Sequence, residues 1–262
     1  MNLIEAIILG IVQGLTEFLP VSSSGHLTIG KELLGIDSSN LAFEITVHAA
    51  TVLSTIVAFR KEVAELIAGL FKFKMNEETL YIFKIAISMI PIFIVGFFFK
   101  DFVESLFGEG LLVVGIALLV TSTLLLLSAI IKPKEKGITF KNAFVIGIAQ
   151  SIAVIPGLSR SGATISTGLL LGVKRENIAK FSFLMVLVPI LGEVFLELIS
   201  GELSEGKTGI PMFALMAGFV AAFLSGLFAC KAMIALVKRT KLKGFALYCA
   251  IVGIVAIIIA YV

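Results

Sequence analysis

Phe18-Leu19-Pro20-Val21-Ser22-Ser23-Ser24-Gly25-His26 and Ile155-Pro156-Gly157-Leu158-Ser159-Arg160-Ser161-Gly162 decide how this chain is read. Each stretch interrupts a segment, 3–36 and 142–173, that is otherwise apolar. Proline removes a backbone donor and ends a helix, and the serines and glycines beside it leave backbone groups that lipid cannot satisfy. Irregular backbone at membrane depth is tolerated only where protein or a wet cavity encloses it. Both segments therefore read as re-entrant helix-turn-helix hairpins.

The rest of the chain supplies the membrane. Of 262 residues, 58% are apolar and 15% charged, with a mean hydropathy of +1.10. An ordinary soluble domain is roughly 45–50% apolar and about 25% charged, so too little polar surface is left for a soluble shell. Six segments, about 42–59, 81–99, 111–131, 178–199, 211–237 and 245–262, approach the roughly 20 apolar residues that a hydrocarbon core requires. The expected fold is an all-α polytopic membrane protein of six transmembrane helices plus two re-entrant hairpins. A net charge of +3, with no basic run interleaved with aromatics, excludes a nucleic-acid binder. No basic region precedes the first apolar stretch, so no removable signal peptide is expected. Cys230 and Cys249 lie apart in apolar stretches and suggest neither a disulfide nor a zinc site.

The basic residues test the hairpin reading. All but four of the 21 fall in four alternate connections, which hold Arg60 to Lys84, Lys132 to Lys141, Lys174 to Lys180, and Lys231 to Lys243. The other connections hold only Lys31, Lys100 and Lys207, and Arg160 sits inside a broken segment. Cytoplasmic connections are the basic ones. The alternation holds only if each broken segment enters and leaves on one side, the first from outside and the second from the cytoplasm.

A shift of 137 residues superposes the two hairpins: Gly10 on Gly147, Gln13 on Gln150, Ser22 on Ser159, Ser24 on Ser161 and Gly25 on Gly162. Three spans follow each hairpin, so the chain reads as one membrane domain, 1–262, of two repeats, about 1–131 and 142–262, in opposite orientations. Inverted repeats with discontinuous helices place their binding site at the repeat interface, so the two Ser-x-Ser-Gly tips should face each other.

The chemistry then falls on a few residues. Glu17 is the one charge between Glu5 and Lys31. A carboxylate at membrane depth costs roughly 2.5–3.5 kcal/mol on insertion scales and by default marks function. Gln13 lies four residues earlier, on the same helix face, where both can reach one cation. Ser22-Ser23-Ser24-Gly25 can open a half-helix whose free N–H groups and dipole favour an anion. His26 is one turn beyond Ser23, within reach of its hydroxyl. The second tip adds Arg160, flanked by Ser159, Ser161, Gly162 and Thr164, and a guanidinium at this depth needs an anionic partner, phosphate or carboxylate. Three features are weaker. Glu44 and His48 share a helix face, as do Glu193 and Glu197; the carboxylates lie near outer span ends, where snorkelling accounts for them, and His48 stays as the outlying candidate. Gly10-x-x-x-Gly14 suits close helix packing.

The strings Gln13-Gly14-Leu15-Thr16-Glu17-Phe18-Leu19-Pro20-Val21-Ser22-Ser23-Ser24-Gly25-His26 and Pro156-Gly157-Leu158-Ser159-Arg160-Ser161-Gly162-Ala163-Thr164 resemble the two signature motifs of the bacterial undecaprenyl-diphosphate phosphatases of the bacitracin-resistance type. Phe43-Glu44, Lys132-Pro133-Lys134 and Pro211-Met212-Phe213 extend the similarity over the whole chain. The resemblance implies removal of the terminal phosphate from a C55 polyprenyl diphosphate, with a divalent cation, Mg2+ or Ca2+, at a site open to the periplasmic side of the inner membrane. It implies that Glu17 is the motif's acidic residue, Ser23 the nucleophile, His26 its histidine and Arg160 the phosphate clamp. The earlier motif position is Glu or Gln in that family, and Gln13 here leaves Glu17 as the lone carboxylate for the cation.

On this reading Gln13 and Glu17 hold the ion; Ser22, Ser24, Gly25, Ser159, Arg160, Ser161, Gly162 and Thr164 bind phosphate; Ser23 attacks with help from His26. His26 or a cation-bound water stays open as the attacking group. The partners are the polyprenyl diphosphate and membrane lipid, with a homo-oligomer left open. Two further classes are weighed: a polyprenyl-phosphate flippase, since inverted repeats with broken helices also build transporters, and an intramembrane Ser/His peptide hydrolase, in which Arg160 would have no duty.

Overall fold

Two breaks in the helical backbone fall at Pro20 and Pro156, whereas Pro91 is carried inside a helix. A computed structural model describes residues 1–36, 41–107, 110–131, 135–200, 209–239 and 242–261. Its helices are α1 (Leu3–Phe18), α2 (Ser23–Leu34), α3 (Leu41–Ala58), α4 (Arg60–Leu70), α5 (Glu77–Phe98), α6 (Lys100–Phe107), α7 (Gly110–Ile130), α8 (Phe140–Ile152), α9 (Arg160–Leu170), α10 (Arg175–Met185), α11 (Leu187–Ser200), α12 (Met212–Arg239) and α13 (Lys243–Ala260). Among the described residues there is no strand, only an isolated parallel bridge between Lys136 and Val173 that ties together the two ends of the α8–α9 hairpin.

The arms of the two broken segments are short: 16 and 12 residues for α1 and α2, 13 and 11 for α8 and α9. At about 1.5 Å per residue, none crosses roughly 30 Å of hydrocarbon. α1 and α2 fold back on each other, with Gly30 seated so tightly on Leu9 that a Cβ there would come within 2.8 Å of its Cδ2. α8 and α9 pack together in the same way. Five helical stretches, 77–98, 110–130, 175–196, 212–237 and 243–260, are long and apolar enough to cross a membrane, and the bent pair α3–α4 provides a sixth. The protein is an all-α polytopic membrane protein.

Two local departures from the expected spans have physical causes. The fourth span is broken at Val186 between α10 and α11, because Pro189 has no N–H for the carbonyl four residues earlier, at Met185. The first span turns by 79° at Phe59 into α4, whose sequence Arg-Lys-Glu-Val-Ala-Glu is too charged to continue into hydrocarbon.

Close helix contacts carry the hairpins. α1 runs along α12, where a Cβ on Gly10 would strike the Gly218 carbonyl and one on Gly14 would strike Ser225 Oγ. α8 runs along α5, with Gly147 against the Ser88 backbone. α7 and α13 meet at Gly115 and Gly253, each of which would place a Cβ within 2.8 Å of the other's carbonyl oxygen. Phe18, Phe181, Phe183, Leu118, Leu125 and Met233 fill the core behind the hairpin tips. Outward faces are apolar too, with Phe97, Phe228 and Phe93 largely exposed, as lipid-facing side chains are.

Glu44 is not at a free span end. Its carboxylate meets the Lys31 ammonium at 2.5 Å, because the last turn of α2 lies beside the first turn of α3. Glu193 and Glu197 lie in α11 and their side chains are outside the described residues, as are Lys132, Pro133, Lys134 and Lys207.

Candidate active site

The local chemistry of each tip builds half of the site. Ser22 caps α2 and Ser159 caps α9: their hydroxyls accept from Gly25 N at 3.2 Å and Gly162 N at 3.0 Å. The first two N–H groups of each helix, those of Ser23 and Ser24 and of Arg160 and Ser161, have no intrahelical acceptor and mark the positive ends of the dipoles.

The two tips touch. Gly157 N donates to Ser24 Oγ at 3.3 Å, and Ser161 Oγ donates to the Leu19 carbonyl at 3.1 Å. Gly157 makes this possible with φ +87°, wedged so that a Cβ would lie 2.6 Å from Val114 Cα. Only glycine takes that conformation at little cost.

At the junction, Glu17 is a hub. Its side chain is 7% exposed, and Oε1 is ion-paired with Arg160 Nη2. Its Oε2 accepts from Gln13 Nε2 at 2.9 Å and from Ser23 Oγ at 2.6 Å, and His48 Nε2 lies 3.7 Å away. So α1 supplies the carboxylate, α2 the serine, α3 a histidine and α9 the guanidinium. A cleft lined by Glu17, Arg160 and Ser161 continues past Thr51, Thr55 and Ser182. A buried carboxylate, a hydroxyl and a guanidinium held together out of bulk water can bind a phosphate and move a proton within one hydrogen bond.

Not every predicted residue reaches this point. His26 does not meet Ser23: its Nδ1 is 2.7 Å from the Ser22 carbonyl and its Nε2 is 2.7 Å from the Tyr248 hydroxyl. The Thr164 hydroxyl lies 2.8 Å from the Arg160 carbonyl and 2.6 Å from Ser182 Oγ, joining α9 to α10 rather than facing the cleft. Ser22, Ser24, Gly25, Ser159 and Gly162 shape the tips behind the two residues, Arg160 and Ser161, that line it.

The donors suit a hard cation. Gln13 is fully buried, and its Oε1 has no hydrogen-bond partner while its Nε2 faces the Glu17 carboxylate. Such an oxygen can accept from water or bind a cation, and the Gln150 Oε1 of the second hairpin is buried and unpartnered in the same way. Among the described residues no group of three or more His, Cys, Asp and Glu side chains could hold a metal. Gln13 Oε1 and Glu17 offer only these protein oxygens, so an ion such as Mg2+ or Ca2+ would have to complete its shell with water and substrate oxygens.

Residues 6–255 match the family model described as bacitracin resistance protein BacA. The chain belongs to the BacA family. Over 265 residues it is 58% identical to an undecaprenyl-diphosphatase of Bacteroides fragilis, covering 99% of each chain. It is 59% identical to one of Parabacteroides distasonis, covering 98% of each, and 42% identical to one of Methanococcus vannielii, covering 97% of this chain and 98% of that one. For this BacA-family chain, Thr51, Thr55 and Ser182 carry no sequence signal of their own, being ordinary hydroxyls in apolar helices. His48 did carry one, its spacing from Glu44, but only the fold aims it at Glu17.

Proposed function

We propose that this chain is an integral membrane phosphatase that hydrolyses undecaprenyl diphosphate to undecaprenyl phosphate and phosphate. The observation that carries the reading is that Ser23 and Arg160, from opposite hairpins, converge on one buried carboxylate, Glu17. Regenerating the monophosphate recycles the carrier lipid of cell-wall synthesis, and consuming the diphosphate raises resistance to bacitracin. The reciprocal packing of α1 on α12 and of α8 on α5 supports two inverted repeats, 1–131 and 142–262. The distribution of basic residues supports a site open to the outer side of a bacterial inner membrane.

Glu17 and Arg160 neutralise each other in the absence of substrate. An arriving diphosphate offers Arg160 a better fork of oxygens, in bidentate geometry, and releases the carboxylate. Gln13 and Glu17 are the residues that would hold the divalent ion, which supplies positive charge against the phosphates when bound. Ser23 Oγ, already donating to Glu17, attacks the terminal phosphorus and passes its proton to that carboxylate. The anhydride P–O bond breaks and undecaprenyl phosphate leaves; water then attacks the phosphorus of the phosphoserine, the Oγ–P bond breaks, and Glu17 returns its proton to Ser23 Oγ as inorganic phosphate leaves. Arg160 and the N–H groups at the two helix starts hold the equatorial oxygens through both steps. A flippase would need the anion site but no hydroxyl bonded to a buried carboxylate.

The test is phosphate release from undecaprenyl diphosphate by purified protein in detergent, where no compartments exist. We expect release that stops with chelator and is absent in Ser23→Ala. Folded protein that releases none, or Ser23→Ala turning over like wild type, would overturn the reading.

A further inference from the structure

The first hairpin tip is built around a strained residue. Ser22 is one of two described non-glycine residues with positive φ, at φ 71° and ψ 101°. Non-glycine residues in such regions cost about 1–3 kcal/mol and persist only when their surroundings fix them. Three carbonyls of the turn are held: Leu19 O by Ser161 Oγ, Pro20 O by Cys249 Sγ at 3.6 Å, and Ser22 O by both His26 N at 3.2 Å and His26 Nδ1 at 2.7 Å. The Ser22 peptide sets where Ser23 begins α2, and hence the 2.6 Å contact from Ser23 Oγ to Glu17.

A carbonyl can only accept, so His26 Nδ1 carries the hydrogen. The Nε2 of the neutral ring is then the acceptor, and Tyr248 Oη donates to it. The two rings stack with centroids 5.6 Å apart and an interplanar angle of 7°. Neither residue lines the cleft of Glu17 and Arg160. Tyr248 and Cys249, successive residues of α13, thus clasp the first tip from the opposite half of the chain, on a helix pinned to α7 by Gly115 and Gly253.

We propose that Tyr248 is a positioning residue: by donating to Nε2 it fixes the His26 ring whose Nδ1–H holds the strained Ser22 carbonyl, and so aims Ser23 at Glu17. The catalytic consequence rests on the phosphatase reading above; the structural claim does not. Tyr248→Phe keeps the stacked ring and removes only the donor. It should lower kcat roughly three- to tenfold, the effect of about one net hydrogen bond, with KM unchanged. The chain has two histidines, so 15N-histidine spectra of full-length protein in detergent contain two imidazoles, assigned with His48→Gln. Wild type should show His26 protonated at Nδ1 with a hydrogen-bonded Nε2, and Tyr248→Phe should lose the Nε2 hydrogen-bond shift. His26→Asn, whose amide can still reach Ser22 O, should retain more turnover than His26→Gln or His26→Ala. A wild-type His26 protonated at Nε2 refutes the proposal, as does Tyr248→Phe with wild-type spectra and kcat, or His26→Gln outperforming His26→Asn. If wild type releases no phosphate while the spectra are as expected, the phosphatase reading fails and the clasp stands.

Discussion

Replacing Arg160 alone should destabilise this protein more than replacing Arg160 and Glu17 together. The Glu17 side chain is 7% exposed and that of Arg160 24%, and Arg160 is the permanent cation that meets the carboxylate among the described residues. Removing one partner of a buried pair costs about 3–5 kcal/mol, because the remaining charge is left uncompensated. Gln13 and Ser23 still donate to Glu17, and the guanidinium is partly exposed, which places Arg160→Ala near the low end, about 3 kcal/mol. In Arg160→Ala with Glu17→Gln the residual cost is that of an imperfectly bonded neutral amide, about 1 kcal/mol. At roughly 2–4 °C per kcal/mol for a chain of this size, the single variant should melt about 6–12 °C below wild type and the double about 2–4 °C below. Thermal unfolding in one detergent at fixed concentration reads both. Neither variant should turn over substrate, so the comparison is purely structural. A double variant that melts at or below Arg160→Ala would refute the account of Glu17 as a buried charge held by Arg160.

Two further outcomes are expected. Gly157→Ala, with φ +87° and a Cβ forced to 2.6 Å from Val114 Cα, should collapse the monodisperse yield on size exclusion, whereas Gly35→Ala, at φ +64° with open space around it, should cost only about 1 kcal/mol; equal behaviour of the two would show that the tip contact is not tight. Gln13→Glu puts a second charge where an oxygen is already buried and unpartnered, so the Mg2+ concentration for half-maximal phosphate release should fall; an unchanged or higher requirement removes Gln13 from the ion's shell.

Much of the architecture could be read from residues whose physics is local. Pro20 and Pro156 lie just past the last residues of α1 and α8 and cannot supply a further helical N–H, and the serine caps at Ser22 and Ser159 need only their own next three residues. Glu17 and Arg160 stood out because charge is scarce, and scarcity is visible without a fold. The contacts between helices were less legible. Tyr248 is one more aromatic in an apolar span until the fold brings α13 to the first tip, 222 residues from His26 in sequence. The His26–Ser23 spacing suggested a contact, but helix geometry also lets an imidazole at that position bond back to its own cap carbonyl, and that alternative won. Glu44 looked like a snorkelling carboxylate because its partner Lys31 had been assigned to a connection; the end of α2 runs on far enough to bury the lysine.

The meeting of the tips has a consequence for biosynthesis. The carboxylate and serine are translated with α1 and α2, but the guanidinium arrives with α9, 143 residues after Glu17. A nascent chain that has inserted only as far as α7 carries Glu17 with no cation from the second tip and a Ser22 turn that lacks its anchors from α9 and α13. Hydrolytic competence is thus a property of completed assembly, and a ribosome-bound first half cannot attack the lipid pool into which it is being inserted.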